Sequence, residues 1–417
     1  MTEFEKYTKL KSELDFVYKG IHLNRVVAGL IWGIANPKKK TFFLSNLRRI
    51  LGLRRIFRYT NPLPLKIDKP IFATYGRYDR RDHVQLYHQV MERMEDKVSS
   101  FNMLEWKNKT VLHPNVIKAA FIFFINKSQL GLIDRLVIAS EAVFYCNIVD
   151  ELEKVDFSKA KRYLCMANML DIENLITQYM KLKGIPTYSL MEGIYFIFKI
   201  RTPYASVAYE NFETDKLITW GQYTIDEFVS YGLSKDRFAL GGYPKKVDVR
   251  KMKKNNPLKR CMIMFAADVY KYSNMAVLEM LERYSHRYEF YLKLHPGADF
   301  EYYDRYASKH NMKIIPERMT LNECLNSDDF DFTVGINTTT YYESLMRGIP
   351  CLRYNDGTFS MMYGYNDEFS TIEEFDAQMD KIKNIDYDQY QKDIDNILIY
   401  AIGLGIDNYK DILYNDL

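Results

Sequence analysis

Residues 331–354 read Asp-Phe-Thr-Val-Gly-Ile-Asn-Thr-Thr-Thr-Tyr-Tyr-Glu-Ser-Leu-Met-Arg-Gly-Ile-Pro-Cys-Leu-Arg-Tyr, and this stretch decides the expected fold. A buried strand is predicted over 332–334, because the residues there favour β-structure. Small and hydroxyl-bearing residues over 335–340 predict a turn. A helix is predicted over 341–347, and Gly348 ends it. Strand, turn and helix in this order are typical of α/β proteins.

The turn carries three consecutive threonines, Thr338, Thr339 and Thr340, preceded by Asn337. The first turn of a helix has free backbone N–H groups and the positive end of the helix dipole, both of which favour an anion. Threonine hydroxyls at this place add further donors, so the pattern predicts a site for a phosphate or diphosphate. A helix N-cap without any ligand is the alternative that this segment leaves open.

A histidine follows another predicted strand earlier in the chain, in Leu-Lys-Leu-His-Pro-Gly over 292–297. The apolar alternation of Phe290, Leu292 and Leu294 predicts the strand, and Pro-Gly ends it. His295 is therefore expected at the carboxyl end of a parallel strand, which is where open α/β sheets bind their ligands. An imidazole there can hydrogen-bond or neutralise a phosphate.

These two motifs together carry a resemblance to a known group of enzymes. Lys-Leu-His-Pro-Gly with Gly-Ile-Asn-Thr-Thr-Thr-x-x-Glu-Ser-x-x-x-Gly-Ile-Pro resembles the C-terminal half of GT-B glycosyltransferases of bacterial surface polysaccharides. Bacterial sialyltransferases and CDP-glycerol glycerophosphotransferases carry similar His-Pro and Ser/Thr elements, and UDP-GlcNAc 2-epimerases share the half-fold. The resemblance covers residues 160–360. It implies that His295 and the threonine hydroxyls hold the donor phosphate and that Glu343 binds the ribose.

Other residues are assigned to the same donor site by their position beside these motifs. Lys293 belongs to the His-Pro motif, and Ala267 follows the first predicted strand of the second half. Gly242 lies in Gly-Gly-Tyr-Pro, near the expected cleft between the two halves. A plain tight turn is the alternative for this glycine.

Length and composition predict two α/β halves in one chain. The chain has 417 residues, of which 47% are hydrophobic, enough for more than one core. Strands and helices alternate along it, which predicts parallel sheets with right-handed crossovers. We expect a GT-B fold with two Rossmann-like domains facing a cleft, over 67–250 and 251–417, after a basic helical segment over 1–66. The last helices are expected to pack back on the first of these domains.

The cysteines and the apolar runs exclude several other classes. The five cysteines are scattered without Cys-x-x-Cys spacing, which predicts buried thiols rather than disulfides or a zinc site. The acidic start of the chain does not have the pattern of a secretory signal, and no apolar run reaches the roughly 20 residues of a spanning helix. A cytoplasmic protein is therefore expected.

Positive charge is concentrated near the start of the chain. Residues 16–67 contain eleven Lys or Arg and no Asp or Glu, so with a net charge of +4 the rest of the chain carries −7. These cations alternate with apolar residues that include Trp32, and the pairs Arg48/Arg49 and Arg54/Arg55 predict an amphipathic basic helix. Such a segment favours an anionic membrane surface. A surface for a charged acceptor is the alternative, and nucleic acid is not expected because no binding module accompanies the charge.

A carboxylate in the first half is the candidate for catalysis. Glu192 lies in Leu-Met-Glu-Gly-Ile-Tyr, where it is expected at a strand end beside a glycine that admits a substrate. Related sialyltransferases have paired acids before the glycine, and this chain matches only one of the two. Inverting glycosyl transfer needs a base for the acceptor hydroxyl, and a carboxylate serves. The alternative is a structural role, in which Glu192 caps the next helix or pairs with Arg162 or Lys199.

Residues for the acceptor are expected in the loop after the first strand of that half, where Arg77, Asp79 and Arg80 lie. A solvated loop without a ligand is the alternative for this segment. The predicted activity is an inverting glycosyl transfer without a metal or other cofactor, from a nucleotide-activated sugar to a bacterial surface glycan or lipid-linked acceptor. A CMP-linked sugar acid such as CMP-sialic acid is the first choice of donor. An enzyme related to the epimerases or glycerophosphotransferases, and a non-catalytic scaffold, remain alternatives. The expected location is the inner face of the cytoplasmic membrane.

Overall fold

Two parallel β-sheets organise the chain. The computed structural model describes residues 2–37, 59–61, 63–75, 81–103, 107–109, 113–166, 168–194, 206–254, 257–266, 270–296, 298–327, 329–336, 338–358 and 360–415. Each of the two large sheets has six strands, and all neighbouring strands in them run parallel. The predicted α/β class, with two Rossmann-like halves as in the GT-B fold, is confirmed.

The strands of the first sheet lie between residues 71 and 240. In spatial order they are β10 (Phe238–Leu240), β9 (Lys216–Thr219), β8 (Thr187–Leu190), β7 (Arg162–Cys165), β4 (Ile71–Tyr75) and β5 (Val98–Asn102). The remaining strands of this half form two antiparallel pairs: β1 (Val17–Tyr18) with β2 (Ile21–His22), and β3 (Tyr59–Asn61) with β6 (Lys107–Lys109).

The strands of the second sheet lie between residues 260 and 369. In spatial order they are β13 (Lys313–Ile314), β12 (Glu289–Lys293), β11 (Arg260–Met264), β14 (Phe332–Gly335), β15 (Cys351–Tyr354) and β16 (Glu368–Phe369). The order of the strands along the chain reverses between β11 and β14. In the first sheet it reverses between β4 and β7. Ligands of open α/β sheets bind beside such a reversal, at the carboxyl ends of the strands.

Helices connect these strands and cover the sheets. They are α1 (Glu3–Glu13), α2 (Leu23–Val26), α3 (Ala28–Ala35), α4 (Arg81–Arg93), α5 (Pro114–Ile125), α6 (Leu132–Leu152), α7 (Asp171–Leu182), α8 (Val207–Glu210), α9 (Gln222–Ser230), α10 (Lys271–Leu281), α11 (Phe300–Lys309), α12 (Leu321–Asn326), α13 (Thr340–Met346), α14 (Ile372–Asn384), α15 (Tyr387–Ile402) and α16 (Tyr409–Tyr414). Short 3-10 turns occur at Glu95–Lys97, Lys235–Arg237 and Glu282–Tyr284. The apolar composition of residues 132–144 is compatible with a helix or with a buried strand, and all of these residues belong to helix α6.

The start of the chain is part of the first half rather than a separate arm. Helix α1 places Tyr7 in the core, where its ring lies 5.3 Å from that of Trp32. Lys11 is also buried, and its ammonium donates to Glu210 at 2.7 Å and to Asn211 Oδ1 at 2.7 Å. Burial lowers the pKa of Lys11, although the Glu210 carboxylate opposes the change. The prediction that Trp32 belongs to a membrane-binding surface is therefore wrong, because its side chain packs in the core.

The chain returns to the first half at its end. Tyr400 of helix α15 donates to Asp226 at 2.7 Å, and Tyr409 of helix α16 donates to the carbonyl of Gly242 at 2.8 Å. Gly242 has a φ of +96°, and a Cβ built on it would lie 1.8 Å from the carbonyl oxygen of Ile406. Only glycine allows the two chain segments to approach so closely.

A buried ion pair fixes the far side of the second sheet. Arg353 Nε donates to Asp367 at 2.6 Å, and Tyr341 OH donates to the same carboxylate at 2.6 Å, with the two charged side chains 2% and 5% exposed. Burial raises the pKa of Asp367 to about 6. At pH 7 the carboxylate is therefore still ionised and is held by the guanidinium.

Replacing Asp367 by Asn should strongly destabilise the second half, because it removes the buried counter-charge of the Arg353 guanidinium and leaves only the partly exposed carboxylate of Glu368, 3.3 Å away. Loss of one partner of a buried pair costs about 3–5 kcal/mol of unfolding free energy. Denaturant titration followed by circular dichroism measures the change. The control is Glu289→Gln, since Glu289 pairs with Lys313 at the surface and exposed pairs contribute little. Equal unfolding midpoints for the Asp367 variant and the wild type would contradict the assignment.

Candidate active site

The strand register brings the two predicted donor motifs to one edge of the second sheet. Met264, near the end of β11, is paired with Lys293 on one side and with Gly335 on the other. His295 follows Lys293 by two residues, and Thr338 follows Gly335 by three. Both motifs therefore leave the sheet at its carboxyl edge, on the two sides of the strand at which the order reverses.

The threonines lie where the sequence predicted them, at the start of helix α13. Thr339 is the N-cap residue, but its side chain makes no capping hydrogen bond. Thr340 is the first helical residue, and its hydroxyl oxygen is buried without a hydrogen-bond partner in the described part of the chain. The helix itself has only seven residues. A conventional N-cap thus does not account for these hydroxyls, while Asn337 lies outside the described residues.

The two basic residues of the His-Pro motif have local partners. His295 is partly exposed, and its Nδ1 lies 2.7 Å from the carbonyl oxygen of Pro296. A carbonyl accepts, so this nitrogen carries the proton and Nε2 is the remaining ring nitrogen. Lys293 donates to the carbonyl of Met319 at 2.6 Å. This contact directs the Lys293 ammonium toward the loop that precedes helix α12.

Glu343 joins the two halves of the protein. Its Oε1 accepts hydrogen bonds from Lys245 Nζ at 2.6 Å and from Tyr243 OH at 2.9 Å. Both donors follow the last strand of the first sheet, whereas Glu343 lies in helix α13 of the second. The buried Tyr243 has its pKa raised well above the usual value, first by desolvation and then by Glu343. The resemblance implied that Glu343 binds the ribose, and it did not indicate this contact.

Part of the same motif has a structural task. Ser344, next to Glu343, is fully buried and its hydroxyl lies 2.8 Å from that of Thr333 in β14. The pair fixes helix α13 against its strand. Gly242 likewise has a packing task, because it meets Ile406 and Tyr409 of the returning chain. Packing is enough to require this glycine, and its contact with a donor stays a prediction.

Glu192 lies at the carboxyl edge of the first sheet, two residues after the end of β8. Its Oε2 lies 3.6 Å from Nδ1 of His83, has almost no exposure to solvent, and has no hydrogen-bond partner among the residues that the structure describes. His83, in the first turn of helix α4, is buried. Arg162, one alternative partner of Glu192, instead donates from its guanidinium to the carbonyl of Asn415 at 2.8 Å, and the other alternative partner, Lys199, lies outside the described residues. No sequence pattern indicates His83 as a neighbour of Glu192, because it lies 109 residues earlier in the chain.

The predicted acceptor residues and one donor candidate lie outside the described residues: Arg77, Asp79, Arg80 and Ala267. In the part of the chain that the structure describes, no hydrogen bond or ion pair joins Glu192, His295 and Thr338–Thr340 to one another. All five cysteines are buried free thiols, as the sequence predicted.

Comparisons with known proteins give structural similarity only. No protein-family profile matches the chain, and no curated protein sequence matches it. Among solved structures, a lipopolysaccharide outer core galactosyltransferase, WaaB, is 13% identical, covers 83% of this chain and 100% of its own, and has a TM-score of 0.48. The wall teichoic acid polymerase TagF is 13% identical over 90% and 98% of the two chains, with a TM-score of 0.44. A UDP-GlcNAc 2-epimerase from Neisseria meningitidis is 12% identical over 83% and 98%, with a TM-score of 0.43.

These identities and TM-scores are too low to carry an activity across. The fold class rests on the strand order and the parallel register of the two sheets. The activity has to be inferred from the residues at the carboxyl edges of those sheets.

Proposed function

We propose that the protein is an inverting, metal-independent glycosyltransferase that moves a sugar or sugar acid from a nucleotide donor to a bacterial surface glycan. The observation that carries the proposal is Glu192, a partly exposed carboxylate at the carboxyl edge of the first sheet, with one oxygen enclosed beside His83 and the rest of the group open to solvent. Such a group can take the proton of an acceptor hydroxyl. His295 and the threonines lie at the corresponding edge of the second sheet, where donors for a phosphate are expected.

The proposed chemistry assigns one task to each half. The acceptor oxygen forms a bond to the anomeric carbon, while the bond from that carbon to the donor phosphate oxygen breaks. Glu192 receives the hydroxyl proton, and the phosphate leaves with the bonding electrons. His295 and the hydroxyls of Thr338–Thr340 stabilise the charge that develops on the phosphate. The Glu343 contact with Tyr243 and Lys245 supports an arrangement in which both halves meet close to helix α13.

The donor is proposed to be a CMP-linked sugar acid, because the Glu-Gly, His-Pro and threonine elements together resemble those of sialyltransferases. A panel of CMP-, CDP-, UDP- and GDP-linked compounds tests this, with thermal stabilisation and consumption of the donor as the two measurements. Stabilisation and transfer with a CMP-sugar support the proposal. Transfer from CDP-glycerol, or turnover of UDP-GlcNAc without acceptor, would identify one of the two other enzyme classes. No stabilisation by any member of the panel favours a non-catalytic scaffold.

The location is proposed to be the inner face of the cytoplasmic membrane. Among the described residues, the helices are too short or too polar to cross a bilayer. The basic pairs Arg48/Arg49 and Arg54/Arg55 lie outside the described residues, so this part of the proposal depends on the sequence. Each cation near an anionic surface contributes about 1 kcal/mol of binding free energy, so several of them together can hold a protein there.

The protein should therefore sediment with anionic but not with neutral vesicles at low salt. The attraction should fade at 1 M salt, where the Debye length is about 3 Å. Replacing Arg48, Arg49, Arg54 and Arg55 by Gln should abolish sedimentation and leave transfer to a soluble acceptor unchanged.

The matched control removes the same charge elsewhere, by replacing four exposed lysines with Gln: Lys161, Lys216, Lys235 and Lys259. This variant should still sediment. If the wild type ignores anionic vesicles, the membrane assignment is wrong and the basic segment serves an acceptor or a partner.

A further inference from the structure

His83 and Glu192 form a pair that lies outside the His-Pro and threonine motifs. The imidazole is brought to the carboxyl edge of the first sheet by helix α4, which follows β4, and β4 borders the point where the strand order reverses. Glu192 reaches the same edge from β8. Nδ1 of His83 and Oε2 of Glu192 lie 3.6 Å apart, and the two side chains are 11% and 26% exposed.

The two oxygens of Glu192 have different surroundings. Oε2 is enclosed and faces His83, whereas the side chain as a whole is 26% exposed, so its exposure comes from the other atoms. A carboxylate that turns one oxygen toward a buried N–H can offer the second to a substrate. The separation of 3.6 Å is longer than a hydrogen bond, but contacts in catalytic sites often shorten only when the substrate binds.

We propose that His83 is a positioning residue for Glu192, holding the carboxylate by Oε2 so that its other oxygen faces the acceptor hydroxyl. The inference rests on the proposed function, in which Glu192 receives that proton. His83 itself touches neither donor nor acceptor in this mechanism. It prevents rotation of the carboxylate, and it places a positive or polar group beside the charge that Glu192 carries before the transfer.

The test measures kcat and the donor KM of two variants of His83. His83→Phe keeps a planar ring but removes the donor nitrogen, and kcat should fall on the order of 100-fold, as it does when a reacting group is misplaced by about 1 Å. The donor KM should stay the same, because the nucleotide binds the other half. His83→Asn places an amide N–H near the position of Nδ1 and should restore most of the loss. A wild-type kcat for His83→Phe, or no recovery with Asn, would overturn the proposal.

The matched control is His88→Phe, since His88 lies on the same helix but is exposed and meets the edge of Tyr75. Its kcat should equal that of the wild type. In a Glu192→Gln background, His83→Phe should cause no further loss of activity, because the residue acts only through the carboxylate. Additive losses would show instead that His83 acts elsewhere.

A second measurement separates this proposal from the proposed function. If the wild type consumes no nucleotide-sugar, the function is wrong, and the pair is then judged by unfolding. The unfolding midpoints of His83→Phe, Glu192→Gln and the double variant should be non-additive if the side chains interact. Additive midpoints would overturn the pairing itself, whatever the protein does. The unfolding measurement also tests the pairing if His83→Phe is too unstable for kinetic assays.

Discussion

Replacing Glu192 by Gln should abolish most of the transfer while nucleotide binding persists. The amide has the shape of the carboxylate but cannot accept the acceptor proton, and loss of a general base costs about 10²- to 10⁴-fold in rate. The donor is expected to bind the second half, so its affinity should not change. Single-turnover kinetics and isothermal titration of the donor nucleotide measure the two quantities separately.

The control for this variant is Glu92→Gln, because Glu92 is an exposed residue of the helix that carries His83. It should keep the wild-type rate. Turnover near the wild-type value with Glu192→Gln would place the base elsewhere, and Asp79 and Asp82 are then the next residues to replace.

Replacing His295 by Ala should lower the rate by about 10²-fold or more, as removal of one preorganised donor does. His295 lies at the carboxyl edge of β12, where the leaving phosphate is expected to gain charge. Its local hydrogen bond with Pro296 is at the surface, so the fold should survive. Transfer rates and a circular dichroism spectrum of the same preparation distinguish the two effects.

His286→Ala is the matched control, since His286 is exposed and precedes the same strand at its opposite end. It should leave the rate unchanged. Normal turnover of the His295 variant would exclude this histidine from the site, and the resemblance to His-Pro glycosyltransferases would then have no catalytic meaning.

The arrangement of strands and helices could be predicted where each element has a strong local pattern. The β-propensity of its residues predicts the strand Phe332–Gly335, and small residues predict the threonine turn that follows. Gly348 predicts where the next helix ends. Helix α6 was harder, because its middle is buried on nearly all sides and shows no periodic polar face. Buried helices and buried strands have the same apolar composition.

Contacts between distant residues could not be predicted in this way. His83 lies beside Glu192 because the first sheet brings the segments after β4 and β8 together. Glu343 contacts Lys245 because helix α13 of the second half packs against the segment that follows the first sheet. Nothing near either residue in the sequence indicates its partner. The same limit explains why Trp32 was wrongly predicted to lie at a membrane surface. A tryptophan among cationic residues is typical of such a surface, and nothing in the sequence shows that Trp32 packs against Tyr7.

The return of the chain to the first half has a consequence for biosynthesis. Tyr409 is 167 residues beyond Gly242, the glycine whose carbonyl it binds. At about 5–20 residues per second, a ribosome needs on the order of ten seconds or more to make that stretch. During this time the part of the first half that helices α15 and α16 cover would remain exposed to solvent. It includes Ile218 and Trp220, which belong to the same buried cluster as residues of those two helices. We therefore expect chaperones to bind this apolar surface of the nascent chain until helices α15 and α16 have been synthesised.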